Sequence, residues 1–100
     1  MKKKLIVYFA HGRNIYGTEK SIEILLQIRA RYPNAIIIDP ELIPQNSLTL
    51  QKCLEGIEKS DIVCITPECE TMYGYTLHRG QASELLFAMS LNKTIQVIYP

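Results

Sequence analysis

A single carboxylate, Glu84, stands just inside the start of a predicted helix in the segment HRGQASELLFA, residues 78–88. An acid in the first turn of a helix interacts favourably with the positive end of the helix dipole, by roughly 0.3 to 1 kcal/mol. Glu84 also borders Leu85 and Leu86, which we expect to be buried, so its carboxylate should lie near the carboxyl edge of the sheet, within reach of Tyr8. Periodicity alone favours the helix-dipole role, but a carboxylate so placed could do chemistry at the mouth of a cleft.

Two loops carry the other polar side chains that could form a site. In an open parallel sheet, a ligand crevice forms beyond the carboxyl ends of the strands where the strand order reverses, here between the first and third strands. The loop after the first strand offers His11, Gly12, Arg13, Asn14 and Tyr16, and the loop after the third offers Glu68, Glu70, Tyr73, Tyr75, His78 and Arg79. The second loop spans thirteen residues, 67–79, and loops of that length in compact domains are usually functional or mobile. The sequence therefore predicts one crevice lined by both loops.

Several of these residues also have simpler explanations. His11 and Arg13 could be ordinary surface side chains, and Gly12 could only supply a turn. The segment 73–75 could be the tip of a mobile lid or a stacking surface for a planar ring. A metal site built from His11, His78 and a nearby glutamate is conceivable, but no H-x-x-x-H or similar spacing supports it. We therefore expect neither a metal nor a cofactor.

The elements that must position these residues alternate between strands and helices. Apolar, β-rich runs without polar alternation predict buried strands at 5–9, 35–38, 62–65 and 94–99. Apolar residues at helical spacing mark three helices between them, namely Ile22, Leu25, Leu26, Ile28 and Tyr32, then Leu50, Cys53, Leu54 and Ile57, and finally Ala82, Leu85, Leu86 and Met89. Thr18 is the predicted N-cap of the first helix, the second starts near Ser47 or Thr49, and Asn92-Lys93 ends the third.

The order β-α-β-α-β-α-β, with short connections and right-handed crossovers, predicts a parallel sheet sandwiched by helices. We expect an α/β fold, a flavodoxin-like or Rossmann-like three-layer sandwich, with a four-stranded parallel sheet of order 2-1-3-4. No flexible linker or internal repeat divides the chain, so residues 1–100 should form a single domain.

Composition limits the function classes. A hydrophobic content of 47% is ordinary for a globular protein, and eleven basic against ten acidic side chains leave a net charge of +1, too small to recruit a nucleic acid polymer or an anionic membrane. The apolar run 5–10 is too short for a membrane span or a signal peptide, so we expect a cytoplasmic protein. The three cysteines, Cys53, Cys64 and Cys69, lack C-x-x-C spacing.

Three stretches resemble the nucleoside 2-deoxyribosyltransferase-like family, which includes transferases and nucleotide N-glycosidases. LIVYFAHGRNIYGTEKS looks like the family's first strand, with a tyrosine near its end, and CLEGIEKSDIVCITPE looks like its helix followed by an acidic residue and an apolar strand. RGQASELLFAMSLNKTIQVIYP is similar to its G-x-x-x-E helix and final strand, with matching positions at Gly80, Glu84, Ala88, Asn92 and Lys93. The similarity spans nearly the whole chain.

The resemblance implies roles for several residues. Glu84 would be the nucleophile that attacks the anomeric carbon, as in retaining glycosyl transfer, and Tyr8 would hydrogen-bond and orient its carboxylate. The family usually has an aspartate six residues before the glutamate, where it contacts the sugar and helps to hold or protonate the base. This chain has His78 there, and a histidine can donate a proton near neutral pH.

The remaining expectations concern the ligand and the assembly. Arg13 and Arg79 could clamp a phosphate, which would favour a nucleotide over a nucleoside, or they could be surface side chains. The substrate-binding set would comprise residues of both loops and the helix start, namely His11, Gly12, Arg13, Glu68, Tyr73, Arg79 and Gly80. The family's transferases complete their pocket with carboxyl-terminal segments, often from a neighbouring subunit. The resemblance therefore implies a homo-oligomer, or else a smaller or different substrate.

Three function classes remain open. The first is an enzyme acting on an N-glycosidic bond, with Glu84 as nucleophile, Tyr8 orienting it, and His78, Glu68 or Glu70 handling the proton. The second is a non-catalytic nucleotide-binding or sensing module of the same fold, and ligand binding without turnover would identify it. The third is a small flavodoxin-like interaction domain, for which a crevice without small-molecule affinity would be the sign.

Overall fold

A computed structural model describes residues 4–11, 15–67, 69–71, 74–76 and 79–98, with backbone only at residues 69–71, 74–76, 79 and 80. Four strands form the main sheet, namely β1 (Ile6–Ala10), β2 (Ile36–Ile38), β3 (Ile62–Ile65) and β6 (Thr94–Val97). Two further strands, β4 (Cys69–Thr71) and β5 (Gly74–Thr76), form a separate pair. The helices are α1 (Glu19–Arg31), α2 (Thr49–Lys59) and α3 (Arg79–Ser90), and a 3-10 turn covers Pro40–Leu42.

The main sheet is parallel, with the order β2-β1-β3-β6. The α/β class and the predicted order 2-1-3-4 are therefore confirmed, because β6 is the fourth strand of this sheet. In the register, Tyr8 of β1 pairs with Ile38 of β2 on one side and with Val63 of β3 on the other. The strand order reverses between β1 and β3, so a crevice is expected beyond Ala10 and Ile65.

The helices cover the two faces of the sheet unequally. Ile24 and Ile28 of α1 pack with Val7, Phe9 and other apolar residues on one face. Ile57 of α2 and Ala88 of α3 pack on the opposite face, which is also the face towards which Tyr8 and Val63 point. Because α2 and α3 lie together on the Tyr8 face, both helices can contribute side chains around Tyr8.

The predicted apolar sides of the helices were wrong in part. Ile22 and Leu26 of α1, Leu50 of α2, and Leu86 and Met89 of α3 are exposed. Each helix instead turns a narrower side towards the sheet, where the buried residues are Ser21, Ile24 and Ile28 of α1, Thr49, Gly56 and Ile57 of α2, and Gln81 and Ala88 of α3.

The segment between β3 and α3, predicted as a loop over residues 67–79, contains regular structure. β4 and β5 pair antiparallel with the register Cys69 to Thr76, Glu70 to Tyr75 and Thr71 to Gly74. The prediction missed this hairpin because three-residue strands are too short to produce a readable alternation.

The predicted helix ends agree with the structure. The Thr18 side chain accepts a hydrogen bond from the Ser21 N–H at 3.4 Å, as an N-cap does. Beyond α3, Asn92 has a φ of 57°, and the N–H of Lys93 donates to the Ala88 carbonyl at 3.0 Å, which closes the helix. None of the described helices is long and apolar enough to cross a bilayer.

Candidate functional site

The Tyr8 ring and the Glu84 carboxylate meet between the sheet and α3. Tyr8 is fully buried in the middle of β1, and Glu84 is half-buried in α3. Burial raises the pKa of the Tyr8 hydroxyl far above its ordinary value, and the nearby Glu84 carboxylate and Cys53 thiol raise it further. The hydroxyl therefore remains protonated at physiological pH and can donate a hydrogen bond to a neighbouring acceptor.

Burial also raises the pKa of Glu84, while the Tyr8 hydroxyl and the charge of His11 act in the opposite direction. The two groups influence each other, yet neither Tyr8 Oη nor Glu84 Oε2 has a partner at standard hydrogen-bond geometry among the described residues. Buried polar atoms are nearly always hydrogen-bonded, so such a pair needs an explanation. Tyr8 Oη and Glu84 Oε2 are a donor and an acceptor that lie near each other. Together they could bind a hydroxyl group or another polar atom of a ligand.

Gly56 determines how closely α2 approaches the Tyr8 ring. A Cβ at Gly56 would lie 3.1 Å from Tyr8 Cε2 and 3.1 Å from Ile38 Cγ2. These distances are shorter than an ordinary van der Waals contact, so only glycine fits without a shift of the ring. The backbone of α2 therefore packs directly against the Tyr8 ring.

Gln81 ties the start of α3 to the ends of two central strands. Its side-chain amide is buried, and Nε2 donates to the Thr66 carbonyl and, at 3.4 Å, to the Ala10 carbonyl. Ala10 ends β1, and Thr66 directly follows β3, so the amide spans the point where the strand order reverses. Gln81 lies about one helical turn before Glu84. Its hydrogen bonds therefore fix the position of this part of α3, and with it Glu84, relative to Tyr8.

His11 follows β1 and lies among acidic neighbours at the same edge of the sheet. Its ring is buried and stacks on Phe9, with ring centroids 3.8 Å apart and an interplanar angle of 17°. Nδ1 donates to the Phe9 carbonyl at 3.1 Å, and Nε2 lies 2.9 Å from Glu41 Oε1 and 3.7 Å from Asp39 Oδ1. We call His11, Asp39 and Glu41 the His11 cluster.

The chain brings the two carboxylates to His11 through simple local structure. β1 and β2 are parallel neighbours, so His11 and Asp39, which directly follow them, come to the same edge. Pro40 then begins the 3-10 turn, and Asp39 caps it by accepting from the Glu41 N–H at 3.0 Å. This turn directs the Glu41 side chain back towards the histidine.

The electrostatics of the His11 cluster favour a charged Glu41. Its partial burial would raise the pKa of the carboxyl group. Hydrogen bonds from His11, the Ser21 side chain and the Gly17 backbone outweigh the effect of burial and lower this pKa. The Phe9 carbonyl and the Glu41 carboxylate are both acceptors, and each faces one ring nitrogen of His11. A positive charge on His11 lowers the pKa of Glu84 and so favours its ionised form.

The structure brings together some of the predicted site residues and leaves others undescribed. Tyr8 and Glu84 are neighbours, and His11 lies in the adjacent cluster. Arg79 and Gly80 form the first turn of α3. The remaining predicted residues, Gly12, Arg13, Glu68, Tyr73 and His78, lie outside the described residues.

Sequence reasoning missed four residues at this edge of the sheet. These are Asp39, Glu41, Gly56 and Gln81, none of which was singled out from the sequence. The Asp39-Pro40 pair after a strand is a signal for a capped turn, and it could have directed attention to Glu41. The roles of Gln81 and Gly56 depend on contacts across the sheet and carry no sequence signal of their own.

A groove of about 460 Å³ lies at the opposite end of the strands, lined by Lys4, Leu5, Arg31, Tyr32, Pro33, Asn34 and Ala35. It contains none of the predicted site residues. Parallel sheets of this type bind ligands beyond the carboxyl ends of their strands, whereas this groove lies beyond the amino ends. We therefore place the candidate site at the edge that carries Glu84 and His11.

Comparisons with known proteins support the fold. Neither a protein-family model nor a curated protein matches the sequence. Among solved structures, the chain is similar to a 2-desoxiribosyltransferase from Leishmania mexicana, with a TM-score of 0.71, 17% identity and a match over 95% of this chain. The matched part is 64% of that protein's chain. The resemblance inferred from sequence is thus confirmed at the level of the fold.

Proposed function

We propose that this protein acts on the N-glycosidic bond of a nucleoside or nucleotide, with Glu84 as the nucleophile. The observation that carries the proposal is the contact between buried Tyr8 and Glu84: the hydroxyl lowers the pKa of Glu84, while neither Tyr8 Oη nor Glu84 Oε2 has a partner at standard hydrogen-bond geometry among the described residues. The similarity to a 2-desoxiribosyltransferase fold supports the same reaction class. The proposed ligand is accordingly a small-molecule nucleoside or nucleotide.

In the proposed reaction, a Glu84 oxygen attacks the anomeric carbon as the bond from that carbon to the base nitrogen breaks. The sugar becomes attached to the enzyme through an ester, and the departing base takes up a proton. A water molecule or a second base then attacks the same carbon, which releases Glu84 as a carboxylate. Two displacements return the original configuration at the anomeric carbon.

The Tyr8 hydroxyl would orient the carboxylate throughout these steps. It remains protonated because burial raises its pKa, so it can donate to Glu84 or to a sugar hydroxyl without being consumed. His11 supports the ionised, nucleophilic form of Glu84 through its charge. We assign proton delivery to the base to His78, with Glu68 and Glu70 as the alternatives, and phosphate binding to Arg13 and Arg79.

A non-catalytic nucleotide-binding or sensing module is the second candidate. One observation favours it, namely that burial raises the pKa of Glu84. A protonated carboxyl group can hydrogen-bond a ligand, but it is a poor nucleophile. In this case the protein would bind nucleosides or nucleotides and leave them unchanged.

The test is incubation of the purified protein with nucleosides and their 5′-monophosphates, with and without a free acceptor base, followed by chromatography of the bases. The proposal predicts base release or exchange by the wild type and none by Glu84→Gln. Release without an acceptor indicates a hydrolase, and exchange that needs the acceptor indicates a transferase. Binding without turnover supports the sensing module, and light scattering of the same samples tests the proposed homo-oligomer.

Glu58→Gln is a suitable control for this assay, because Glu58 lies on the exposed side of α2. It makes the same chemical change as Glu84→Gln away from the site. Equal turnover by Glu84→Gln, Glu58→Gln and the wild type would contradict the nucleophile assignment.

A further inference from the structure

The His11 cluster has the geometry of a metal site. His11 Nε2, Asp39 Oδ1 and Glu41 Oε1 all lie within 4.8 Å of one another. Two atoms that bind one ion at about 2.1 Å are separated by roughly 3.0 to 3.4 Å at octahedral or tetrahedral angles. The two separations from Nε2, 2.9 Å and 3.7 Å, bracket this range. The carboxylate oxygens of Asp39 and Glu41 lie within 4.8 Å of each other, so rotation of these two side chains would bring all three atoms around one ion.

The surroundings of His11 prepare Nε2 as a ligand atom. Metal-binding histidines almost always donate their other ring N–H to a carbonyl or carboxylate, and His11 Nδ1 donates to the Phe9 carbonyl at 3.1 Å. The ring is held between Phe9 and Tyr16, at centroid distances of 3.8 Å and 4.9 Å. Nε2 is therefore fixed in direction, and it points at two carboxylates.

The carboxylates of the His11 cluster are accessible to solvent. The His11 side chain is fully buried, whereas the side chains of Asp39 and Glu41 retain 13% and 20% of their exposure. Asp39 Oδ1 is oriented by the Glu41 N–H at 3.0 Å. The cluster thus combines a fixed nitrogen, oriented carboxylate oxygens and solvent access, which are the features expected of a site that can be loaded.

We propose that His11, Asp39 and Glu41 bind a divalent transition-metal ion, with at least one coordination position left for water or a ligand. One imidazole and two carboxylates suit zinc, manganese or iron better than calcium or magnesium, which prefer oxygen ligands alone. The absence of a thiolate among the three argues against copper(I) or an iron–sulfur cluster. The site differs from the His11 and His78 arrangement considered from the sequence, and it does not depend on the reaction proposed for Glu84.

In the ion-free cluster, His11 Nε2 and Glu41 Oε1 lie 2.9 Å apart, the distance of a hydrogen bond. A metal ion would replace the proton of that bond, because an imidazole must give up its Nε2 proton to become a ligand. Binding should therefore release about one proton when His11 is charged beforehand. Proton release distinguishes binding at this cluster from loose association of an ion with surface carboxylates.

The experiment is calorimetric titration of the chelator-treated full chain with zinc chloride in two buffers that differ in ionisation enthalpy. The proposal predicts one zinc ion per chain, a heat that depends on the buffer, and binding weakened about tenfold or more in both Asp39→Asn and Glu41→Gln. Glu58→Gln should bind zinc as the wild type does. Circular dichroism of each variant at the titration temperature confirms that it is folded.

Titration with cobalt(II) separates this cluster from the cysteines. Cobalt bound by one imidazole and two carboxylates lacks the strong near-ultraviolet absorption of a cobalt–thiolate bond. Zinc binding that is unchanged in Asp39→Asn and Glu41→Gln, or a cobalt spectrum with thiolate absorption, would overturn the proposal. The absence of any zinc binding would also overturn it and leave the cluster as an ion pair only.

Discussion

The backbone of Gly56 lies against the ring of Tyr8, and a Cβ at residue 56 would come within 3.1 Å of Tyr8 Cε2. Alanine at a helix interior is normally more stable than glycine by about 1 kcal/mol. We predict that Gly56→Ala does not increase the free energy of unfolding, because the methyl group displaces Tyr8 or pushes α2 away from the sheet. Chemical denaturation should show no increase in the free energy of unfolding.

If Tyr8 orients Glu84, Gly56→Ala should also lower kcat about tenfold, the order of effect expected when a positioned catalytic group is misplaced. Glu58→Ala, on the exposed side of the same helix, should leave kcat unchanged. A stabilised Gly56→Ala variant with full activity would show that Tyr8 does not need its present position.

Glu84→Gln should abolish turnover and at the same time stabilise the fold at neutral pH. Burial raises the folded-state pKa of Glu84, so the folded protein holds this proton more tightly than the unfolded chain does. Stability is therefore lost as the pH rises from the ordinary value of 4.5 through the raised pKa. A neutral glutamine avoids the burial of a charge, and we expect a gain on the order of 1 kcal/mol at pH 7.

This gain should disappear in acid, where Glu84 is protonated in both states. Thermal melts of the wild type and Glu84→Gln from pH 3.5 to 8 measure the difference directly. A constant difference across this range, or a loss of stability at pH 7, would contradict the buried position of the carboxylate.

Glu41→Gln should have the opposite pH dependence. The folded-state pKa of Glu41 is lowered, mainly by the hydrogen bond from His11, although burial alone would raise it. The stabilisation is present above the ordinary value of 4.5 and is lost as the pH falls through the lowered pKa. Removing this charge-assisted hydrogen bond should cost about 1 to 2 kcal/mol at pH 7.

The same series of melts serves for Glu41→Gln, with chelator present to remove metal ions. The difference from the wild type should shrink below pH 4.5. Equal stability of the two proteins at pH 7 would indicate that the contact between His11 and Glu41 is not formed in solution.

Gln81→Ala should destabilise the fold by about 1 to 3 kcal/mol, because it removes the Gln81 donor from the Thr66 carbonyl, whereas the Ala10 carbonyl keeps the N–H of Thr66. Gln51→Ala removes an amide from the exposed side of α2 and should change stability by less than about 0.5 kcal/mol. Urea denaturation of both variants gives the comparison. If both variants lose equally little stability, Gln81 does not anchor α3.

The sequence was sufficient for the main sheet and the three helices because each of these elements carries a local signal, which β4 and β5 do not. All four strands of the main sheet appear as apolar runs, although the edge strands β2 and β6 are less buried than predicted. Thr18 marks a helix start through its side chain, and Asn92 marks a helix end through its positive φ. The proximity of Tyr8 and Glu84 was also predicted, from the position of Glu84 beside the apolar side of its helix near the carboxyl edge of the sheet. What could not be predicted depends on helix rotation, which is decided by the fit of small residues such as Gly56 against the sheet.

The His11 cluster shows a second limit of sequence reasoning. His11 and Glu41 are thirty positions apart, and their contact depends on the pairing of β1 with β2 and on the turn that starts at Pro40. No spacing pattern contains that information. Short ligand spacings reveal metal sites in a sequence only when one local element carries the ligands.

The measurement that tests the central claim most directly is a search for sugar attached to Glu84. The protein is quenched in acid during turnover of whichever nucleoside or nucleotide it accepts, and intact mass and peptide masses are determined. We predict a mass increase equal to the sugar or sugar phosphate on the peptide that contains Glu84, and none in Glu84→Gln. Base release by a Glu84→Gln variant as active as the wild type, with no adduct on that peptide, would contradict the account.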